Sequence, residues 1–144
     1  MAREVSRMIN GVVTGKLDHL ETILAELRSL APLSVERVER EWMVRRAVER
    51  DLQVAVETVL DVCHRLVALS QSAPASSGRQ ALEKCQQLGA IASAQVYKPL
   101  VGFRNLVVHR YERVDTAVLV SIVNDHLADL ERFRDEVLAY VRRS

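Results

Sequence analysis

The most constraining feature of this 144-residue chain is a run of seven apolar residues in its first half. Successive members lie four, three, four, three, four and three residues apart: Val48, Leu52, Ala55, Val59, Val62, Leu66 and Leu69. This spacing places all seven on one side of an α-helix, whereas a β-strand needs strict alternation. We therefore predict a long helix whose apolar seam packs in a helical bundle.

Comparable apolar spacing elsewhere predicts about five helices in total. We place them at residues 3–30, 34–70, 79–88, about 93–107 and 115–143. Ser34, Ser93 and Asp115 are candidate N-caps, and Gly89 suits a left-handed C-cap. The expected fold class is all-α: an up-and-down antiparallel bundle in one domain spanning residues 1–144. Two of the seams are long for a monomer of this size, which favours a homodimer.

The sequence also predicts which residues of the first two helices are packed and which are solvated. In the first helix, the apolar positions assigned to the packed face are Met8, Ile9, Val12, Leu17, Leu20, Leu24 and Leu27. In the second, Glu36/Arg40 and Glu41/Arg45 have the i,i+4 spacing of a solvated helical face. Trp42 and Met43 lie in that charged stretch, where packing in a core or an interface is preferred to a role as a partner anchor.

Charge and cysteine content restrict the function classes. A net charge of +1 excludes a protein that coats nucleic acid through bulk charge, so any RNA contact must be local. The two cysteines, Cys63 and Cys85, are expected to be reduced thiols. The sequence has no pattern of a signal peptide or a transmembrane segment, so we expect a cytoplasmic protein with no membrane role.

One short run combines residues that suit RNA cleavage. An Arg separated from a His by four residues, as in Arg104 and His109, is expected by chance about half the time in a chain of this composition. Adding Asn directly after the Arg and Tyr two residues after the His lowers that to about one in several thousand. Asn105 and Tyr111 satisfy both conditions.

The chemistry explains why these residue types matter. Cleaving RNA without a metal requires a group that takes or gives a proton at the reacting oxygens, and a cation beside the phosphorus. His109 and Arg104 suit these roles, and Asn105 is placed at i−4 to hydrogen-bond the imidazole. On a helix, Arg104 and His109 are about 140° and about 7.5 Å apart, so they share no face. They can flank one phosphate at a frayed helix end, or converge with a second copy.

This run resembles the motif Arg, four residues, His, any residue, Tyr of the HepT branch of the HEPN superfamily. Residues 47–53, the break at Gly89 and the helix after Asp115 occur in the order which that family uses. The resemblance implies a type VII-like toxin, an endoribonuclease with the motif of two protomers facing across a homodimer cleft. It also implies silencing through adenylylation of Tyr111 by a nucleotidyltransferase antitoxin, MntA.

The surroundings of the motif are locally basic, and we expect Lys98, Arg110 and Arg113 to contact the RNA substrate. No cofactor is expected. No metal site is expected either, because the histidines His19, His64 and His126 lack ligand spacing. Three alternatives remain: a non-catalytic HEPN partner that holds substrate for a nucleotidyltransferase, a helical adaptor whose motif is coincidental, and a structural role for Arg104 and His109 in an ion-pair network or cap.

Overall fold

The bundle contains the expected helices, with the second and the last each divided into two. A computed structural model describes residues 2–108 and 115–143, and in these residues there are seven α-helices and no β-strand. The helices are α1 Ala2–Leu30, α2 Val35–Arg40, α3 Trp42–Leu69, α4 Gly78–Leu88, α5 Lys98–Val108, α6 Thr116–Ser121 and α7 Leu127–Arg143. A 3₁₀ turn, Gln95–Tyr97, leads into α5, and a π-helical turn, Ile122–His126, joins α6 to α7.

Helix α1 lies antiparallel to both α3 and α7, against which it packs. The ion pair between Lys16 and Asp61 joins the middle of α1 to the late part of α3, at 2.7 Å. Farther along α1, Glu21 pairs with Arg134 of α7 at 2.8 Å. Helix α3 in turn packs against α4 and α5. The expected all-α antiparallel bundle is confirmed, and α3 is the element that connects its two sides.

The core follows the predicted seams, with one correction in α1. The seam residues Val48 to Leu66 of α3 are buried, as are Leu17, Leu20, Leu24 and Leu27 of α1. Met8 and Val12, however, are 71% and 42% exposed, and Val13 is fully buried instead. The buried stripe from Val13 onwards has spacings of four, three, four and three, so Met8 and Val12 lie off its axis.

The predicted helix over residues 34–70 is interrupted at Glu41, whose extended backbone (φ −105°, ψ 93°) ends α2 and begins α3. The interruption changes the ion pairs: Glu41 bonds Arg37 at 3.1 Å, and Arg45 bonds Glu49 at 2.7 Å. The expectation of a solvated face is wrong for Arg45, which is 4% exposed. Packing in the core is also wrong for Trp42 and Met43, which are 68% and 67% exposed.

Most of the predicted helix ends are confirmed. The Ser34 hydroxyl accepts a hydrogen bond from the Arg37 amide, and Asp115 caps α6 through the Ala117 amide. Gly89 has the left-handed backbone (φ 83°) that ends α4. Ser93 is not a cap, because the 3₁₀ turn that begins at Gln95 follows Ala94, which provides no side-chain cap bond.

Two further features bear on the expectations. Cys63 and Cys85 are both free and buried, with the Cys85 thiol donating to the Cys63 carbonyl at 3.6 Å. Within residues 2–108 and 115–143, no helix has both the length and the apolar character that a membrane span requires.

Candidate functional site

Helix α5 carries the first part of the motif with one side packed and the other open. Leu100 and Phe103 are buried, 7% and 4% exposed, against the core that α3 contributes to. Arg104 directly follows Phe103 and is exposed. Among the described residues Arg104 takes part in no ion pair or hydrogen bond, so its guanidinium is available to a ligand. This geometry disfavours a structural ion-pair role for Arg104.

Arg104 lies in a cleft of about 640 Å³ between the beginning of α4 and the first two turns of α5. The polar residues of its wall are Ser77, Arg79, Gln95, Lys98 and Arg104. Lys98, expected to contact RNA, is therefore in the same cleft as Arg104. Sequence reasoning did not single out Arg79 and Gln95, because their approach to α5 depends on how α4 packs on α3.

The electrostatics of this cleft are dominated by cations. Glu83 Oε1 lies 3.5 Å from Arg79 Nε and 3.8 Å from Lys98 Nζ. One carboxylate is thus shared between two cations, and Arg104 adds a third positive charge to the same wall. The cleft therefore favours an anionic ligand.

The remaining predicted site residues divide into two groups. Asn105 follows Arg104 within α5. His109, Arg110, Tyr111 and Arg113 lie outside the described residues, which resume at Asp115. The structure thus brings together Arg104 and Lys98 and places Asn105 on their helix, while the roles of all seven residues stay predictions.

Where the described chain resumes after the motif, it is attached to α3. Arg45 Nη1 donates a hydrogen bond to Thr116 Oγ1 at 2.6 Å, across the junction between the beginning of α3 and the beginning of α6. Arg45 is the only charged residue buried in the described part of the chain. Nothing in the sequence distinguishes Arg45 from the other charged residues around it, so its burial was not predicted.

The opposite side of α5 faces an apolar groove of about 630 Å³, walled by residues of α3, α5 and α6. Phe103, Val118 and Ile122 contribute to its surface. Its polar residues include His126 and Asp129, whose Nδ1 and Oδ2 atoms are 3.4 Å apart. Helix α5 therefore separates a cationic cleft from an apolar one. Across the described residues, no three His, Cys, Asp or Glu side chains are grouped to hold a metal ion.

Comparison with known proteins identifies the family. Residues 20–137 match the family model described as ribonuclease HepT-like. The chain belongs to the HepT-like family. The resemblance inferred from the motif is thereby confirmed. One relative of this HepT-like chain, the mRNA nuclease HepT of Shewanella oneidensis, is 22% identical over 133 residues, which are 91% of this chain and 99% of that protein.

Solved structures agree with the bundle. The tri-AMPylated HEPN toxin of Shewanella oneidensis, in complex with an MNT antitoxin, is similar with a TM-score of 0.78 at 22% identity, over 89% of this chain and 97% of that one. YutE of Bacillus subtilis, a cytosolic protein of unknown function, gives 0.79 at 16% identity, over 92% and 90%. At these identities the likeness shows that the HepT-like chain has the HEPN fold.

Proposed function

We propose that this HepT-like chain is the toxin of a toxin–antitoxin pair and acts as a metal-independent endoribonuclease. The observation that carries the proposal is the placement of Arg104: it is exposed, without an ion-pair partner in the described residues, and shares a cationic cleft with Lys98. A structural arginine in a bundle is expected to be paired, as Arg45 is with Glu49. The family match and the mRNA nuclease named among its relatives support the same function.

In the proposed reaction, the 2′-oxygen of RNA attacks the adjacent phosphorus and the bond from phosphorus to the 5′-oxygen breaks. His109 takes the proton from the 2′-hydroxyl or gives one to the leaving 5′-oxygen. Arg104 stabilises the negative charge that builds on the phosphoryl oxygens, and Asn105 orients the imidazole. The products are a 2′,3′-cyclic phosphate and a 5′-hydroxyl, and no group outside RNA and the protein is consumed.

The partner and the assembly are part of this proposal. We infer a homodimer, in which two motifs face one cleft, because residues five positions apart, as Arg104 and His109 are in the sequence, share no face of a regular helix. We infer a nucleotidyltransferase antitoxin of the MntA type, since the solved complex of a similar toxin contains an MNT antitoxin. Its reaction here is transfer of AMP from ATP to the Tyr111 phenol oxygen, with release of pyrophosphate. The added phosphate then competes with RNA for the cationic surroundings.

The decisive experiment compares the wild-type chain with His109→Ala in a chelator-containing RNA cleavage assay. We expect the wild-type protein to cleave RNA in EDTA and to arrest bacterial growth when expressed alone, and His109→Ala to do neither while remaining a folded dimer. Arg104→Gln is expected to lose at least about a hundredfold in rate, since it removes a preorganised cation at the developing charge. Cleavage that persists in purified His109→Ala would refute the assignment, and a wild-type chain that is harmless and inactive would favour a non-catalytic partner.

A further inference from the structure

We propose that the cleft between the beginning of α4 and α5 binds the RNA backbone beside the scissile bond, with Arg79 and Lys98 contacting a phosphate next to the one at Arg104. The proposal rests on the ribonuclease function proposed above. It adds Arg79 and the beginning of α4 to a site that the motif confines to α5 and the residues after it.

The composition of the cleft favours an anionic backbone. Arg79, Lys98 and Arg104 line a single concavity of about 640 Å³ in a chain whose net charge is only +1. Of the carboxylates in the described part of the chain, Glu83 alone forms an ion pair with any of the three. Two positive charges therefore remain uncompensated at this place, which concentrates the positive potential locally.

Two of these cations lie close enough together to contact one phosphate. Arg79 Nε and Lys98 Nζ approach the same Glu83 oxygen, at 3.5 Å and 3.8 Å, so the two nitrogens are at most about 7 Å apart. A phosphate that displaces or joins this carboxylate can be contacted by both. Arg79 and Glu83 are 67% and 46% exposed, so both side chains have room to rearrange around a ligand.

The backbone at Arg79 is held in place by close packing and by a helix cap. A Cβ atom on Gly78 would lie 3.1 Å from Leu60 Cδ2, so the beginning of α4 packs closely on α3. The Ser77 hydroxyl accepts a hydrogen bond from the Gln80 amide at 3.1 Å, which caps the helix. Arg79 therefore extends from an ordered position, and the positive end of the α4 dipole adds to its charge.

RNA is the favoured occupant because Arg104 lines this cleft, and the proposed reaction places the reacting phosphate at Arg104. A single strand bound at Arg104 can also contact Lys98 and Arg79, because all three residues line the same concavity. Contacts of this kind position the backbone and read no sequence. They are expected to govern RNA affinity and its dependence on salt.

The test measures binding of a fluorescently labelled single-stranded oligoribonucleotide on a His109→Ala background, so that the RNA stays intact. We expect Arg79→Gln and Lys98→Gln each to weaken binding several-fold. Each is also expected to reduce the slope of log affinity against log salt by about 0.7, the value for one lost phosphate contact to a single strand. With His109 present, the same changes are expected to lower kcat/KM through a higher KM.

Arg65→Gln is the matched control. Arg65 pairs with Asp61, four residues before it, and Lys16 of α1 contacts the same carboxylate. Like the cluster at Glu83, this cluster therefore contains one Arg, one Lys and one carboxylate. It lies on the α1 side of α3, and Arg65→Gln should bind and cleave RNA like the wild type. Circular dichroism of all variants verifies that they are folded.

The outcomes separate this inference from the proposed function. If Arg79→Gln and Lys98→Gln match Arg65→Gln in affinity and salt slope, the phosphate contacts are refuted, whether or not the wild type cleaves RNA. If the wild type does not cleave, the ribonuclease function fails and the binding data alone decide the cleft. If both variants keep their RNA affinity but bind the nucleotidyltransferase partner more weakly, the cleft docks protein and our inference is overturned.

Discussion

Arg45 of α3 donates a hydrogen bond from Nη1 to Thr116 Oγ1 at 2.6 Å, joining residues 71 positions apart in the chain. The same guanidinium pairs with Glu49 through Nε at 2.7 Å and is 4% exposed. Thr116 is the first residue of α6, and Asp115 before it caps that helix. This contact therefore holds the beginning of α6, where the described chain resumes after the motif, against α3.

The contact between Arg45 and Thr116 is expected to stabilise the fold measurably. Thr116→Val should lower the free energy of unfolding by about 1–2 kcal/mol, because it removes an acceptor from a buried charged donor. Arg45→Met should cost about 3 kcal/mol, and the double variant should reveal a coupling energy of at least about 0.5 kcal/mol. Urea unfolding of the four proteins measures these values.

Arg46→Met is the control for that cycle, since Arg46 is the exposed neighbour and should change the stability by no more than about 0.5 kcal/mol. Additive effects of Arg45→Met and Thr116→Val would mean that the hydrogen bond does not couple the two helices.

Asn124 is expected to hold the loop between α1 and α2 onto the π-helical turn. Its Nδ2 donates to the Leu33 carbonyl at 2.9 Å, and its Oδ1 accepts from the Leu33 amide at 2.8 Å. Asn124→Ala should lower the free energy of unfolding by about 2 kcal/mol, because both bonds are lost together. Asp125→Ala, at the exposed next position, is the control. Equal urea midpoints for the two variants would show that the pair of bonds contributes nothing.

The carboxyl of Asp51 is expected to make stability fall as pH rises. Burial, together with a hydrogen bond and charge repulsion from Glu26, raises the pKa of Asp51 from 3.8 to about 6. The folded state therefore holds a proton that the unfolded chain has released between pH 3.8 and about 6, so stability is lost across that window. Asp51→Asn should be more stable than the wild type at pH 7.5, and no more stable at pH 4.

We expect a gain of about 1 kcal/mol at pH 7.5, less than the full shift would give, because Asp51 is only half-buried and solvent screens the pair. Asp61→Asn is a control of opposite sign. Although burial raises the pKa of Asp61, hydrogen bonds to Lys16 and Arg65 outweigh it and hold the pKa below its ordinary value. That variant should be less stable than the wild type at pH 7.5. Thermal unfolding of the three proteins at pH 4 and pH 7.5 measures these differences.

Tyr111 is the expected acceptor of AMP. Intact-mass spectrometry after co-expression with a nucleotidyltransferase of the MntA type should show one or more added AMP groups. Nuclease activity should be lost when the modification is present. Tyr111→Phe should lack the modification and stay active in the presence of the partner and ATP. Tyr140→Phe, on α7, is the control and should be modified like the wild type. A Tyr111→Phe chain that is still adenylylated and silenced would place the site elsewhere.

Much of the bundle could be predicted because apolar spacing and caps are local properties. The seam from Val48 to Leu66, the caps at Ser34 and Asp115 and the turn at Gly89 all occur as expected. The incorrect predictions concern residues whose environment depends on neighbouring helices. Nothing in the sequence around Glu41 marks the interruption of the helix. Trp42 is apolar and yet exposed, because no local pattern specifies which helices pack against the beginning of α3.

The candidate site divides in the same way. By itself, the sequence determined the chemistry offered by the run from Arg104 to Tyr111, because residue types and their spacing along a helix are written in it. Only the tertiary structure decided that Arg104 faces a cationic cleft with Lys98 and Arg79, since α4 reaches α5 through its packing on α3. It likewise decided that Arg45 is buried against Thr116. Such contacts join distant parts of the chain, and no local pattern specifies them.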